Sequence, residues 1–244
     1  MKTFAEKNGN NFIVNGTKNW VTSGENSDLI IFFCKTEKGA GSKGISAFII
    51  EKGTPGLTTG KKEEKLGIRA SDTCELYFDN CEIPESNLIG NLGQGFSIAM
   101  QALGGGRIGI ASQSVGLARA ALDKTISYSR QREQFGQLIA KFGAIQNKIA
   151  DMATNIEAAR LLVMQAATLK DQGKEYIKES SMAKLFASST AMSAATECVQ
   201  VHGGYGYMQE YGVERLMRDA KITEIYDCLL YTSDAADEED SVDL

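Results

Sequence analysis

The feature that most constrains the fold of this chain is an abrupt change of sequence pattern near residue 90. Before that point, glycines alternate with short β-rich runs. Only two prolines occur among the 244 residues, and none follows Pro84. Because proline interrupts helices, the chain beyond Pro84 is free to form long ones. The length is sufficient for one or two domains with a substantial core, so the change predicts two domains of different class.

The first region carries four runs rich in β-branched and aromatic residues, separated by glycine-containing turns. These runs are residues 12–14, 30–34, 45–50 and 74–78. The dipeptide Asn15-Gly16 follows the first run, and both residues tolerate positive φ. It therefore predicts a tight hairpin whose second strand is residues 19–21. The region is predicted to be all-β.

The second region shows helical periodicity in residues 94–130, 143–172, 175–200 and 213–227. These segments predict three long helices and one short helix, joined by brief glycine-containing links, as in an antiparallel bundle. In the second segment, six apolar residues recur at steps of three and four and predict one buried face. They are Ile145, Ile149, Met152, Ile156, Ala159 and Val163.

The composition excludes several classes of function. A net charge of −5 argues against sequence-independent binding to nucleic acid and against binding to an anionic membrane. The five cysteines form no CxxC pair, and an odd number cannot all pair in disulfides within the chain. This pattern argues against a disulfide framework and indicates a reducing, cytoplasmic compartment. The single histidine, His202, is insufficient for a metal site with such scattered cysteines, so we expect no metal. The longest apolar run, residues 29–34, is too short to span a bilayer.

Candidate ligand-binding chemistry is concentrated in residues 199–227. A glycine-rich turn at 203–206 precedes a short amphipathic helix that carries Arg215 and Arg218, and the segment ends with the carboxylate of Asp227. Glycine lets a backbone approach a ligand, and arginine favours anionic ligands. Two interpretations are open: a cofactor cradle followed by an acid/base residue, or a glycine cap between two helices.

Four segments together resemble the acyl-CoA dehydrogenases, in the order and with the spacing of that family. They are GTKNWVTSG at 16–24, GGRIGIASQ at 105–113, SRQREQFG at 129–136, and residues 199–227. The resemblance implies an acyl-CoA dehydrogenase of the short- or branched-chain type, with an α+β fold of two domains. An all-β, barrel-like middle domain at 1–92 is followed by an antiparallel four-helix bundle at 93–227.

Both ends of the chain depart from the family. Relatives carry a helical domain and a flavin-binding loop before the first hairpin, so we expect the chain to be truncated at its N-terminus. After the catalytic position, relatives continue with a glycine-threonine turn that binds flavin and with a final helix. Here Cys228 and an acidic, apolar-poor segment follow. We expect residues 228–244 to be disordered or to be an artefact of a frameshift or of assembly.

The resemblance implies that the cofactor is FAD. In the family, the positions of Trp20, Val21 and Thr22 lie against the flavin ring, with the threonine near its redox-active nitrogen. An indole can cover such a ring, and a hydroxyl two positions further on shares its strand face. A half-buried strand that contacts no ligand is the alternative interpretation.

Two further groups are implied to hold the flavin diphosphate. The position of Arg132 reaches it across a subunit interface and that of Phe135 packs beside it, although Arg132 is also interpretable as a helix-end charge. In the glycine-rich turn, glycine admits the backbone and a glutamine supplies hydrogen bonds. This second group is Gln200, Val201, His202, Gly203 and Gly204. Such shared sites imply a homo-oligomer, either a homotetramer or a homodimer.

The remaining site residues concern the substrate. Arg107 matches an arginine of the family's substrate site, but Gly104 replaces the acidic residue expected three positions earlier. Asp227 occupies the position of the catalytic glutamate. Its side chain is one methylene shorter, which retracts the carboxylate by about 1.5 Å and predicts a poorly placed base. Helical spacing leaves Glu224 as an alternative base.

The resemblance therefore implies α,β-dehydrogenation of acyl-CoA thioesters to trans-2-enoyl-CoA, with hydride transfer to FAD, as in fatty acid β-oxidation. An electron-transferring flavoprotein is the implied acceptor. Two alternatives stay open. One is an acyl-CoA oxidase or flavin monooxygenase of the same architecture, which differs in whether oxygen reaches the reduced flavin. The other is a catalytically impaired fragment that retains only flavin binding or oligomerisation.

Overall fold

The computed structural model describes residues 2–226. These residues form two compact units. Residues 2–65 and 69–102 make up the first unit, and residues 66–68 and 103–226 make up the second.

The first unit is built on a seven-stranded mixed sheet. The strands are β1 (Phe4–Asn8), β2 (Asn11–Thr22), β3 (Leu29–Lys35), β4 (Ile45–Glu51), β5 (Leu57–Thr59), β6 (Thr73–Pro84) and β7 (Leu88–Ile89). Their order in the sheet is β5-β6-β2-β1-β3-β4-β7, and only the β1–β3 pair is parallel.

Contacts between side chains show that the sheet is curled. The Phe32 ring on β3 lies 4.7 Å from the Phe78 ring on β6, although two other strands separate β3 from β6. In a flat sheet, three strand spacings would put these strands about 14 Å apart. The rings meet because the sheet curls around its core, so the predicted barrel-like domain is confirmed. The core residues are Ala5, Phe12, Val14, Ile30, Phe32, Cys34, Phe48, Ile50, Cys74, Leu76, Phe78, Cys81 and Ile83.

The predicted hairpin at Asn15-Gly16 is wrong, because β2 continues through both residues. Gly16 has a φ of +133° and lies at a register shift against β6. A Cβ there would lie 2.7 Å from the Cα of Thr3, so the residue just before β1 approaches too closely for a side chain. The Asn15 Oδ1 accepts a hydrogen bond of 2.8 Å from the backbone N–H of Asn80. The dipeptide therefore forms a bulge within a long strand.

The true hairpin joins β1 and β2. Asn8 pairs with Asn11, and the turn between them contains Gly9 with a φ of +61°. Sequence pattern missed β1 because its exposed residues, Glu6 and Lys7 among them, hide the alternation. It also missed β5 and β7, which have only three and two residues.

The second unit is helical. Its helices are α1 (Gly95–Ser129, whose first turns belong to the first unit), α2 (Gly143–Asp171), α3 (Ile177–His202) and α4 (Val213–Ile225). Two short strands, β8 (Glu133–Gln134) and β9 (Gln137–Leu138), form a hairpin between α1 and α2. The helix bounds agree with the predicted segments to within two residues at each end. The fourth segment was predicted to run to Asp227, but α4 ends at Ile225 and Tyr226 is extended.

Side-chain contacts give the helix directions. Lys148, near the start of α2, forms an ion pair with Glu197, near the end of α3, so these helices are antiparallel. Tyr128 at the end of α1 contacts His202 at the end of α3. These contacts fit the predicted bundle.

The predicted apolar face of α2 lies largely in the bundle core. Met152, Ile156, Ala159 and Val163 are buried. The first two members of the face, Ile145 and Ile149, are only half-buried. Among residues 2–226, no helix has the length and apolar character that crossing a membrane requires.

Candidate functional site

Trp20 lies in a β-bulge of the first unit, where the register of β2 against β6 shifts between Lys18 and Val21. Its φ is +57° and its side chain is 71% exposed. Positive φ is costly for a bulky residue and is found mostly where the surrounding structure enforces it, often at functional sites. The strained backbone and the exposed indole therefore mark Trp20 as a candidate ligand contact.

The bulge changes the expected relation between Trp20 and Thr22. Two-residue alternation would place both side chains on one strand face, but that alternation does not hold across a bulge. Thr22 is nevertheless exposed, and it pairs with Thr73 on β6. Val21 is half-buried and packs against the core, so its side chain serves the fold.

Asp72 holds the turn that leaves the bulge. Its backbone carbonyl accepts a hydrogen bond of 3.0 Å from the N–H of Ser23, and its Oδ2 accepts one of 2.9 Å from the N–H of Glu25. Burial raises the pKa of the Asp72 carboxyl, but hydrogen bonds from Asn26 and Glu25 outweigh it and the pKa is lower than usual. Asp72 is therefore charged at neutral pH, and it holds the backbone of Ser23 and Glu25, just after the bulge, in place.

Phe135 lies at the tip of the β8–β9 hairpin in the second unit. With Gly136 it forms a two-residue turn in which both φ values are positive, +53° and +78°. This is the pattern of a type I′ turn, whose first position normally takes Asn, Asp or Gly. The Phe135 side chain is 94% exposed, and its ring meets the Phe142 ring edge-on, with the two centroids 6.3 Å apart. A strained aromatic residue thus projects from the surface.

Arg132 immediately precedes this hairpin and is half-buried. Its guanidinium carbon lies 5.3 Å from the ring centroid of Tyr205, which is within the range of a cation–π interaction. Arg132 forms no ion pair with any carboxylate of residues 2–226. Its charge is therefore available to an anionic ligand.

The glycine-rich turn follows α3 directly. Gly203 has a φ of +60°, and a Cβ on Gly203 or Gly204 would meet nothing within 4 Å. The backbone here is therefore open to a ligand. Gln200 is exposed and can present its amide, whereas the Val201 side chain is buried and can contribute only backbone contacts.

His202 is buried at the end of α3. Its Nδ1 lies 2.8 Å from the carbonyl oxygen of Cys198 and must donate, because a carbonyl oxygen only accepts. Burial lowers the pKa of His202, which is therefore neutral at neutral pH. Its ring stacks on Tyr128 at 4.1 Å. The His202 side chain packs against the glycine-rich turn, since a Cβ on Gly206 would lie 2.8 Å from the His202 Cβ.

Four rings form what we call the aromatic cluster: Tyr128, His202, Tyr205 and Tyr211. Tyr205 and Tyr211 lie 5.2 Å apart, and Tyr211 lies 6.3 Å from both Tyr128 and His202. The cluster joins the end of α1 to the segment after α3. It thereby brings Arg132 and the glycine-rich turn together, although about 70 residues separate them in sequence. Sequence reasoning missed Tyr128, Tyr205 and Tyr211.

Arg107 lies on α1, where its Nη1 donates a hydrogen bond of 3.1 Å to the Ser181 Oγ on α3. Its Nε is buried without a partner in the described part of the chain. At Gly104, one turn earlier, a Cβ would overlap the Cδ1 of Ile177, which is the end of an exposed side chain that is able to shift. At the position where the family has an acidic residue, α1 therefore lies close to the start of α3.

Asp227 lies outside the described residues, which end one position before it. The end of α4 is held by its neighbours. The Lys184 Nζ on α3 donates to the Glu224 carbonyl oxygen at 3.3 Å, and the Tyr226 hydroxyl donates to the Gln113 Oε1 at 2.6 Å. The Glu224 carboxylate forms an ion pair of 2.8 Å with Lys221 on the same helix.

Arg218 has a structural role that the sequence did not indicate. Its guanidinium donates to the Leu66 carbonyl oxygen at 2.9 Å and to the Glu214 Oε1 at 3.0 Å. The Asp219 Oδ1 accepts a hydrogen bond of 2.6 Å from the Ile68 N–H. These contacts hold Leu66–Ile68 against α4, so the Arg218 side chain has a structural role.

Comparison with known families gives two matches that together cover most of the chain. Residues 1–81 match the model of the acyl-CoA dehydrogenase middle domain. Residues 93–227 match the model of the acyl-CoA dehydrogenase C-terminal domain.

Individual relatives are similar over nearly the whole chain. An acyl-CoA dehydrogenase of Bacillus subtilis is 53% identical over 227 residues, which are 93% of this chain and 60% of the relative. The structure of butyryl-CoA dehydrogenase from Megasphaera elsdenii matches with a TM-score of 0.91 and 50% identity, over 93% of this chain and 59% of that one. A chain solved in a study of the electron transferring flavoprotein of Acidaminococcus fermentans matches with a TM-score of 0.91 and 52% identity, over 93% and 60%. This chain therefore spans about three fifths of the length of these relatives.

Proposed function

Because the chain belongs to the acyl-CoA dehydrogenase family, we propose that it is part of an FAD-dependent enzyme that converts acyl-CoA thioesters to trans-2-enoyl-CoA. The observation that carries this proposal is the aromatic cluster. It brings Arg132, which pairs with no carboxylate of residues 2–226, next to an open glycine-rich turn. Both features suit a diphosphate, since a guanidinium matches its oxygens and glycine lets backbone N–H groups approach.

The donor set fits FAD. Arg132, Gln200 and the backbone of Gly203 and Gly204 would hold the diphosphate, with Phe135 packed beside it. We propose that they serve the flavin of a neighbouring subunit, which makes the protein a homotetramer or homodimer. Trp20 and Thr22 would contact the flavin ring. When bound, the flavin supplies the oxidising half of the reaction by accepting a hydride from the substrate β carbon.

Asp227 is the proposed base that removes the α proton. The thioester carbonyl acidifies this position, and hydrogen bonds to the carbonyl oxygen stabilise the negative charge that develops there. Arg107 is the proposed substrate-site residue. Glu224 is a poor substitute base, because its carboxylate is paired with Lys221 on α4.

The remaining parts of the proposal concern substrate and partners. A short acyl chain is supported by the likeness to butyryl-CoA dehydrogenase of Megasphaera elsdenii. An electron-transferring flavoprotein as acceptor is supported by the match to a chain solved in a study of such a protein. We place the enzyme in the cytoplasm on the basis of its unpaired, buried cysteines, which are Cys34, Cys74, Cys81 and Cys198 among the described residues.

Flavin affinity of the 244-residue chain tests the cofactor site. Arg132→Ala should weaken FAD binding about ten- to a hundredfold, since a charge-assisted, bidentate contact contributes about 1.5 to 3 kcal/mol. Arg160→Ala is the matched control, because Arg160 is a surface arginine that pairs with Glu157. Fluorescence titration with FAD measures all three proteins. If Arg132→Ala binds FAD as tightly as the parent, Arg132 is not a diphosphate ligand.

The proposed reaction is tested by rapid-mixing absorbance of the flavin in a chimaera that supplies the rest of a relative's length. Asp227→Glu should raise the rate of flavin reduction about ten- to a hundredfold with little change in substrate affinity, because it restores the reach of the carboxylate. Asp227→Asn should abolish reduction, since an amide cannot accept the proton. Reduction by the asparagine variant at the parent's rate would exclude Asp227 as the base. Rapid oxygen consumption after reduction would instead favour an oxidase.

A further inference from the structure

Tyr205 is the member of the aromatic cluster that contacts a proposed cofactor ligand. It lies one residue after Gly204 and is 45% exposed. Its ring centroid is 5.3 Å from the guanidinium carbon of Arg132 and 5.2 Å from the Tyr211 ring. The ring thus contacts both the rest of the cluster and a cation.

The rest of Arg132 is already fixed. Its backbone N–H donates a hydrogen bond of 2.9 Å to the Tyr128 carbonyl oxygen, and its own carbonyl oxygen accepts one of 2.9 Å from the Ile139 N–H. The freedom that remains is that of a long side chain. Within residues 2–226, no carboxylate forms an ion pair with this side chain. The Tyr205 ring is therefore the contact that restricts the guanidinium.

A ring restrains an arginine differently from a carboxylate. A carboxylate would neutralise the guanidinium and compete with an incoming anion. An aromatic face attracts the cation through its quadrupole and leaves the full positive charge in place. Restricting a side chain before a ligand arrives lowers the entropy lost on binding.

We propose that Tyr205 is a positioning residue, whose ring holds the Arg132 guanidinium next to the glycine-rich turn so that arginine and turn backbone meet the same diphosphate. This role rests on the proposed function of Arg132. A cation–π contact at a partly exposed site corresponds to about a two- to fivefold change in an equilibrium constant. Tyr205 therefore contributes less to FAD binding than Arg132 does.

A set of matched variants of the 244-residue chain tests the proposal by FAD titration. Tyr205→Leu should weaken FAD binding about two- to fivefold, because leucine has no quadrupole, and Tyr205→Phe should bind like the parent. Tyr207→Leu is the matched control. Tyr207 directly follows the glycine-rich turn, is 81% exposed and has no ring or cation contact within the described chain. In the Arg132→Ala background, Tyr205→Leu should cause no further loss, since the two residues act together. Equal losses in both backgrounds would overturn the proposal.

A second measurement needs no flavin. The side-chain Nε–H signal of Arg132 in an NMR spectrum carries the ring-current shift of a nearby ring. It should move in Tyr205→Leu and stay in place in Tyr205→Phe and Tyr207→Leu. An unchanged signal in Tyr205→Leu would overturn the positioning role. If the signal moves and Arg132→Ala weakens FAD binding, but Tyr205→Leu binds FAD like the parent, the inference fails while the proposed function stands. If the parent binds no FAD, the proposed cofactor site fails, and with it the role of Tyr205 in FAD binding.

Discussion

The core of the sheet unit consists mainly of large side chains, whereas the core of the helical unit consists mainly of alanine. In the sheet unit, one alanine occurs among the thirteen residues of the core, and Phe12, Phe48 and Ile50 are fully buried. In the helical unit, eleven of the seventeen buried residues in the two core clusters are alanine. A curled sheet leaves a volume that only large side chains fill, whereas helices that approach closely leave room for methyl groups. We therefore expect large-to-small substitutions to destabilise the sheet unit and small-to-large substitutions to destabilise the helical unit.

The units are alike in a second respect. Each carries one exposed aromatic residue with positive φ, Trp20 on the sheet and Phe135 on the hairpin. The rest of each unit must hold a backbone conformation that these residues disfavour. Because Trp20 is the single tryptophan, its fluorescence reports on the sheet unit, and far-UV circular dichroism reports mainly on the helices.

The largest expected effect is the loss of a large side chain from the sheet core. Phe48 is fully buried and contacts the rings of Phe12 and Phe32. Phe48→Ala should lower the free energy of unfolding by about 3 to 5 kcal/mol, through lost burial and a cavity. Urea unfolding followed by Trp20 fluorescence measures it. The control Ile31→Ala, on a side chain 58% exposed, should cost about 0.5 kcal/mol or less. Equal losses would show that the sheet core is not tightly packed.

The next effect is the reverse substitution in the helical core. Ala159 on α2 is fully buried and belongs to the same core cluster as Ala111 on α1 and Ala183 on α3. Ala159→Leu should cost about 1 to 3 kcal/mol, because the helices must separate. Ala153→Leu, at an exposed position of α2, is the matched control and should be nearly neutral. Circular dichroism during unfolding compares the two variants. If Ala159→Leu were neutral, the alanine core would contain unfilled space.

A smaller effect of opposite sign is expected at the hairpin tip. Phe135→Asn creates Asn-Gly, which suits the two positive φ values of this turn, and should stabilise the helical unit by about 1 kcal/mol. The same variant should bind FAD more weakly, because the aromatic contact proposed beside the diphosphate is lost. Phe135→Leu removes the ring but keeps the strain, so it should lose FAD affinity without gaining stability. A stabilised Phe135→Leu variant would show that exposure of the ring, and not its φ, is the costly feature.

The smallest effect is a pH dependence from His202. Its pKa is lowered in the folded state by burial, so the unfolded chain takes up a proton more readily. Stability should therefore fall as pH drops below the usual histidine pKa of about 6.5, and His202→Gln should lack this part of the slope. Unfolding of both proteins at several pH values between about 7.5 and 5.5 gives the difference. Identical slopes would mean that the imidazole is not desolvated.

Features with a short sequence period were predictable from the chain alone. The four helices follow from steps of three and four residues, and the predicted α2 face holds because Met152 and Ile156 obey that period. The site motifs were recognisable because each is contiguous, as the glycine-rich turn and the segment from Ser129 to Gly136 show. Local spacing determines such elements whatever the rest of the chain does.

Other features depended on residues distant in sequence, and only the tertiary structure decided them. Asn15-Gly16 is compatible with a hairpin or with a bulge. The bulge forms because Thr3, just before β1, and Asn80, on β6, approach the dipeptide. In the same way, nothing near Arg132 in sequence indicates that Tyr205 restrains it. That pairing exists because the ends of α1 and α3 meet, and such a contact depends on helix packing, which no local period encodes.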